Sequence, residues 1–253
     1  MNNNKEFQGL TALVTGSSNG IGAEAAVRFA QGGASVLIQY NAAKDQAERI
    51  LERVRQAGSD GEVQQADFST REGVLEFLEW LKPRPVDILV NNAGSLVKRT
   101  RFLDFTDDLW EQVFMLNLHS AMMVTRAVLP HMIEQKRGCV VNISSVAARN
   151  GGGLGAIAYS SAKAALSNMT KGLAKEFAPM GVRVNGVSPG TVDTNYHRTF
   201  STQQMLDGVR AITPMGRLGT SEEIADVIVY LCTEGARFVC GQMIEVNGGF
   251  LLV

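Results

Sequence analysis

The chain has 253 residues, 45% hydrophobic and 19% charged, with 24 basic against 25 acidic side chains and a formal charge of −1. That length suits one large α/β domain, and the balanced charge speaks against a nucleic-acid binder, which shows a basic domain or stripe. Cys139, Cys232 and Cys240 form no C-x-x-C pair, His119, His131 and His197 share no ligand spacing, and the opening "MNNNKEFQGL" holds no apolar signal run; a reduced, cytoplasmic protein without disulfides, bound metal or bilayer-spanning segment is expected.

Short Val- and Ile-rich runs at 11–15, 34–40, 62–66, 86–91, 138–144, 182–187 and 242–246 lack polar alternation. They read as parallel strands covered on both faces. Between them, helix-period patterns run over 20–32, 44–57, 71–81, 107–135, 158–178 and 221–233. Asp107 and Ser221 read as N-caps, and Glu222 and Glu223 place negative charge in the first turn of the last helix. The alternation predicts an α/β Rossmann fold in a single domain over 1–253, a doubly wound parallel seven-stranded sheet with helices on both faces. The longest irregular stretch, 188–220, is broken by a short helix near 203–209. Within it, 191–213 is a candidate substrate lid carrying Tyr196, His197 and Phe200. Met122, Met123, Val124, Leu166 and Met169 exceed what one buried stripe needs, which suggests a subunit interface.

Two local patterns carry chemistry. "ALVTGSSNGIGAEAAVRFA" reads as strand, glycine turn and helix, with Gly16, Gly20 and Gly22 in G-x-x-x-G-x-G. Such a turn brings backbone close to a phosphate and aims helix N–H groups at it. Gly16 to Gly20 also fits G-x-S-x-G, the nucleophile elbow of serine hydrolases, but on the first strand no earlier loop exists to complete an oxyanion hole. In "AYSSAKAAL", Tyr159 and Lys163 stand one helical turn apart, on one face. A neighbouring ammonium favours the phenolate, and a phenol so tuned can pass a proton to or from a substrate oxygen.

Several further motifs fall into one order: Thr15 to Gly22, "NNAG" at 91–94, Asn117 in "MLNLHS", Ser145 in "NISS", Tyr159 with Lys163, and "SPGTVDT". Together they resemble the short-chain dehydrogenase/reductase family over nearly the whole chain. The tail "PMGRLGTSEEIADVIVYLC" is similar to the 3-oxoacyl-acyl-carrier-protein reductase branch and its sugar and polyol dehydrogenase relatives. The resemblance implies that Tyr159 is the general acid/base. Lys163 tunes it and binds the nicotinamide ribose. Ser145, rather than its neighbour Ser144, donates to the substrate oxygen, and Asn117 bends its helix and holds a relay water. It further implies a cofactor loop of Gly16, Ser17, Ser18, Asn19, Gly20, Ile21 and Gly22. Asp67 and the backbone of Phe68 face the adenine, and Asn91, Ala93 and Gly94 the adenosine ribose. Pro189, Gly190, Val192 and Thr194 contact the carboxamide.

An acid at the end of the second strand normally bonds the ribose 2′-OH and repels a 2′-phosphate. Tyr40 holds that place, beside Gln39 and Asn41, with Lys44 near. NADP(H) is therefore expected over NAD(H), with carbonyl reduction as the reaction. The expected substrate is a small ketone or secondary alcohol, of 3-oxoacyl-thioester type or a sugar or polyol; a non-catalytic nucleotide-binding protein is the remote alternative. Acyl carrier protein is a further candidate partner: Lys136 and Arg137 give one basic anchor, while Met180 stands where a second is usual. Lys98, Arg99 and Arg101 in "SLVKRTRF" read as a solvated loop, with an anionic substrate as the sharper alternative. The resemblance also implies a homotetramer.

Overall fold

Every residue of the strand Gly138–Ile143 is buried, which requires helices on both faces of its sheet. The computed structural model, which describes residues 5–194 and 199–253, supplies them. Seven parallel strands are β1 (Thr11–Val14), β2 (Ser35–Tyr40), β3 (Gly61–Gln65), β4 (Ile88–Asn91), β5 (Gly138–Ile143), β6 (Val182–Pro189) and β7 (Met243–Val246), in the order β3-β2-β1-β4-β5-β6-β7. From β1 the chain winds outward to β2 and β3, then returns to β4 on the other side. The crevice at that reversal, outside the carboxyl ends of β1 and β4, is where doubly wound sheets bind ligands.

One face is covered by α1 (Gly20–Gln31), α2 (Lys44–Gln56) and the last helix, whose Ile224, Ile228 and Leu231 share a core with Phe29 and Val54. The other face is covered by α3 (Arg71–Leu81), α5 (Ser120–Glu134) and, past the short α6 (Ala147–Asn150), by α7 (Ile157–Phe177), with α4 (Asp107–Phe114) packed against α7. Among the described residues, α8 (Gln203–Ile212) and α9 (Ser221–Cys232) follow.

The strands lie within two residues of their expected limits, with β6 running on to Pro189. The helix expected over 107–135 is split by a π turn at Met115–His119. The N-caps are Thr106 and Thr220, each one residue before the expected Asp107 and Ser221; each threonine hydroxyl accepts a first-turn N–H. By length and composition the helical run Asp107–Glu134 could cross a bilayer, contrary to the expectation that no segment could. In this fold 56% of its apolar window is buried inside the protein, as befits a core helix. The apolar excess on the long helices is also smaller than expected: Met123, Val124 and Leu166 belong to the chain's own interior, and Met122 alone of the five is exposed. Of the lid residues, Tyr196 and His197 lie outside the described residues.

Candidate active site

The glycine loop is fastened by three side chains. The Thr15 hydroxyl donates to the carbonyl of Val90 (3.3 Å) and accepts the N–H groups of Asn92 and Ala93 (3.0 Å each). Asn92 Nδ2 returns to the carbonyls of Thr15 and Gly16. Buried Gln39 spans the next gap, accepting from Gly16 N (2.8 Å) and donating to the Ala66 carbonyl. The loop after β1 and the loop after β4 thus form one wall.

That wall opens onto a cleft of about 190 Å³, lined by Gly16, Asn19, Gly20 and Ile21 from the glycine loop, and by Ala93 and Gly94 beside Asn92. Pro189, Gly190, Val192 and Thr194 line it from beyond β6, and Tyr159 and Lys163 from α7. None of its lining residues is acidic. Asn19 makes no side-chain cap bond to α1, and the first turn of α1 has no acidic residue. Among the described residues, helical N–H groups with a positive dipole end therefore face the cleft without a side-chain cap, as an anion site requires.

Lys163 is 2% exposed. Its ammonium donates to the Ile143 carbonyl (2.7 Å) and lies 5.7 Å from the centroid of the Tyr159 ring. Burial pushes its pKa down to about 7 from an ordinary 10.5. Gly94 has to be a glycine here: a Cβ would come within 2.8 Å of Asn117 Oδ1 and 2.9 Å of Lys163 Nζ. Asn117, 1% exposed, sits in the π turn. Its amide accepts from Ser95 N and donates to the carbonyls of Ser95 and Val113. It clamps the chain just past Gly94.

A second cavity of about 310 Å³ adjoins the cleft; Tyr159 and Gly190 line both. Ser145 lines this second cavity, its Oγ accepting only the Ala147 N–H, whereas the buried Ser144 hydroxyl is engaged by Ser167 Oγ (2.7 Å) and the Lys163 carbonyl. Met205, Leu206 and Val209 of α8 form an apolar side. A phenol between two cavities, beside an amine and a hydroxyl, can move a proton at an atom held in one cavity while a cofactor fills the other.

Other expected site residues lie elsewhere. The Ser17 hydroxyl donates to the Val14 carbonyl inside the protein (2.7 Å), and Gly22 is buried within the first turn of α1. Ser18 is half-buried outside the cleft lining. Asn91 is corrected: its side chain enters the sheet, donating to Thr125 Oγ1 and Asn142 Oδ1, and Asn92 takes its place on the cleft. Tyr40 packs into the core at 7% exposure, leaving the corner after β2 to exposed Asn41 and Lys44. Asp67 accepts from Ser69 N (2.9 Å) and lies 3.5 Å from Asn41 Nδ2; the Phe68 side chain is buried edge-on to Phe77. The roles of Asn92, Gln39 and Ser95 were not read from the sequence: single polar residues inside apolar or motif-like runs give no periodic signal.

The carrier-protein anchors are also corrected. Lys136 and Arg137 precede β5, and Met180 precedes β6, while the cleft lies at the carboxyl ends of those strands. Six residues of strand separate them by roughly 20 Å. Within one chain they do not border the cleft.

A family model described as enoyl-(acyl carrier protein) reductase matches residues 16–251. An uncharacterized oxidoreductase of Bacillus subtilis (strain 168), YmfI, is 37% identical over 244 residues, 95% of this chain and 98% of that one. The 3-oxoacyl-[acyl-carrier-protein] reductase FabG of Aquifex aeolicus (strain VF5) is 36% identical over 251 residues, 96% of this chain and 98% of that one. Among solved structures, a Beutenbergia cavernae protein named provisionally as an NAD(P)-dependent gluconate 5-dehydrogenase, with NADP bound at low occupancy, superposes with a TM-score of 0.91 at 31% identity, each chain covered to 98%.

Proposed function

The chain belongs to the short-chain dehydrogenase/reductase family and is an oxidoreductase acting on CH–OH groups with NAD or NADP; we propose that it is a carbonyl reductase interconverting a ketone and a secondary alcohol, with NADP(H) preferred. The observation that carries this reading is the position of Tyr159, which lines both cavities, with Lys163 behind it and Ser145 beyond.

The residues present suit a dinucleotide. The uncapped end of α1 offers N–H groups to a pyrophosphate, and the cleft lining is free of acids. No carboxylate ends β2, so a 2′-phosphate meets Asn41 and Lys44 rather than repulsion. Bound nicotinamide supplies or accepts the hydride. Tyr159 gives its hydroxyl proton to the substrate oxygen on reduction and takes it back on oxidation. The Ser145 hydroxyl donates to the same oxygen as charge develops. Lys163, charged when it meets the ribose hydroxyls, favours the tyrosinate. Asn117 acts by holding the Ser95 segment, and with it Gly94, against the lysine. Thr191, Ser201, Met205, Leu206 and Val209, from the described parts of 191–213, border the substrate.

A screen of ketones and alcohols with NADPH and with NADH, followed at the reduced-nicotinamide absorbance, tests this. Turnover of ketones with NADPH is expected; no turnover with either cofactor refutes the reading. Assembly as a cytoplasmic homotetramer belongs to it as well, supported by exposed Phe102, Phe238 and Leu252; light scattering that gives a monomer at micromolar concentration counts against it.

A further inference from the structure

The second cavity has one charged side chain in its lining, Arg99, and no acid. Its neighbours are mostly apolar, with the Ser145 and Tyr159 hydroxyls on the cleft side. Arg99 is half-buried and held in place by two carbonyls. Its Nε donates to the Phe200 carbonyl (3.2 Å) and its Nη1 to the Leu154 carbonyl (2.7 Å), while Nη2 makes no such bond. Among the described residues no carboxylate pairs with it. The loop before α7 is shaped around it: Gly155 has φ +76°, and a Cβ there would stand 2.8 Å from Arg99 Cγ.

A half-buried cation on the wall of a largely apolar cavity is less screened than one in bulk water, so it attracts an anionic group entering that cavity more strongly. Carbonyl acceptors orient the guanidinium and leave its charge uncompensated. The planar fork then presents N–H donors in the geometry that suits a carboxylate. We propose that Arg99 is a specificity-determining residue that binds a substrate carboxylate, so that the substrate is a small oxo acid and its product the hydroxy acid. This rests on the reductase reading, since the carbonyl is taken to lie at Tyr159 and Ser145 while the carboxylate lies at Arg99. A neutral acyl chain on a carrier would have to lie against that cation and leave it unpaired.

The test is isothermal titration of the NADP-loaded protein with gluconate, levulinate and hydroxybutyrate, each against its own carboxamide. At least one acid should bind about tenfold or more tightly than its amide. That preference should vanish in Arg99→Gln and return in part in Arg99→Lys, which restores charge without the fork. An Arg99 that serves only to brace Leu154 and Phe200 would weaken acid and amide alike in both variants, and that result overturns the proposal. So does a wild type that binds no acid better than its amide. A protein that shows the preference yet reduces no ketone keeps Arg99 as a carboxylate site but loses the reductase reading, and with it the oxo-acid substrate. One that reduces neutral ketones as readily as oxo acids keeps the reductase reading and loses this inference.

Discussion

Helices α1 and α9 are each 12 residues long, pack against one another and begin side by side: a Cβ on Gly20 would lie 4.0 Å from Ser221 Oγ. Their N-termini are built by opposite rules. At α9, the Thr220 hydroxyl accepts from Glu223 N and Glu223 accepts from Thr220 N, a reciprocal cap. Arg217 adds two bonds to Glu223, and its guanidinium is the main cause that pulls that carboxyl down to about 2. At α1, Asn19 caps nothing and no acid is present in the first turn. A helix end with no ligand to serve satisfies its own N–H groups. One that is left open beside a closed neighbour, facing a cleft with no acid in its lining, is reserved for something anionic from outside.

The sharpest way to break this contrast is to ask whether the open end serves chemistry at all. Tyr159→Phe should lower kcat by about a hundredfold or more while NADPH affinity, measured by fluorescence titration, stays put. A variant retaining over a tenth of the rate would leave the open end without a reaction.

Lys163→Met comes next, because the open side also contains a buried amine. The folded pKa of Lys163 is about 7 against an ordinary 10.5, so between those values the unfolded chain binds more protons and wild-type stability rises with pH. Below about 7 the cost of the buried charge is present in full. The stability difference in favour of Lys163→Met should therefore be largest below pH 7 and shrink by a few kcal/mol towards pH 10.5. Urea melts across that range would show it; a difference flat in pH would mean that the amine is solvated.

Closing the open end is the third experiment. Asn19→Asp supplies a strong cap and a negative charge, and should raise stability by about 0.5–1 kcal/mol. It should also weaken NADPH binding about tenfold, ~1.4 kcal/mol. Opening the closed end is the smallest change: Thr220→Ala should cost ~1 kcal/mol of stability and leave cofactor binding untouched. If the two effects were exchanged, the assignment of the two helix ends would be reversed.

Much of this was legible in the residues. The Val- and Ile-rich runs located all seven strands because parallel strands buried on both faces leave no polar alternation. The choice of Ser145 over Ser144 was available because the motif orders the pair, and Ser144 is consumed by Ser167 and the Lys163 carbonyl. Three features resisted reading. The resemblance implied a bend at Asn117 but not its form: the π turn at Met115–His119 adds one residue to a turn, too small a shift to disturb a 28-residue periodic pattern. Neighbouring cap-type residues, Thr106 with Asp107 and Thr220 with Ser221, differ only in backbone conformation. Asn91 and Asn92 are identical in type, and alternation along a strand end decides which faces the sheet and which the cleft.

The Thr15 hydroxyl has one hydrogen, given to the Val90 carbonyl, and accepts two N–H groups. Its bonding capacity is full. The turns that leave β1 and β4 are therefore riveted together, and neither can swing without breaking all three bonds. Of the two jaws around the reacting atoms, this one is a fixed anvil. Any closing stroke on a substrate has to come from the opposite jaw, where α8 meets the second cavity and Arg99 reaches the Phe200 carbonyl.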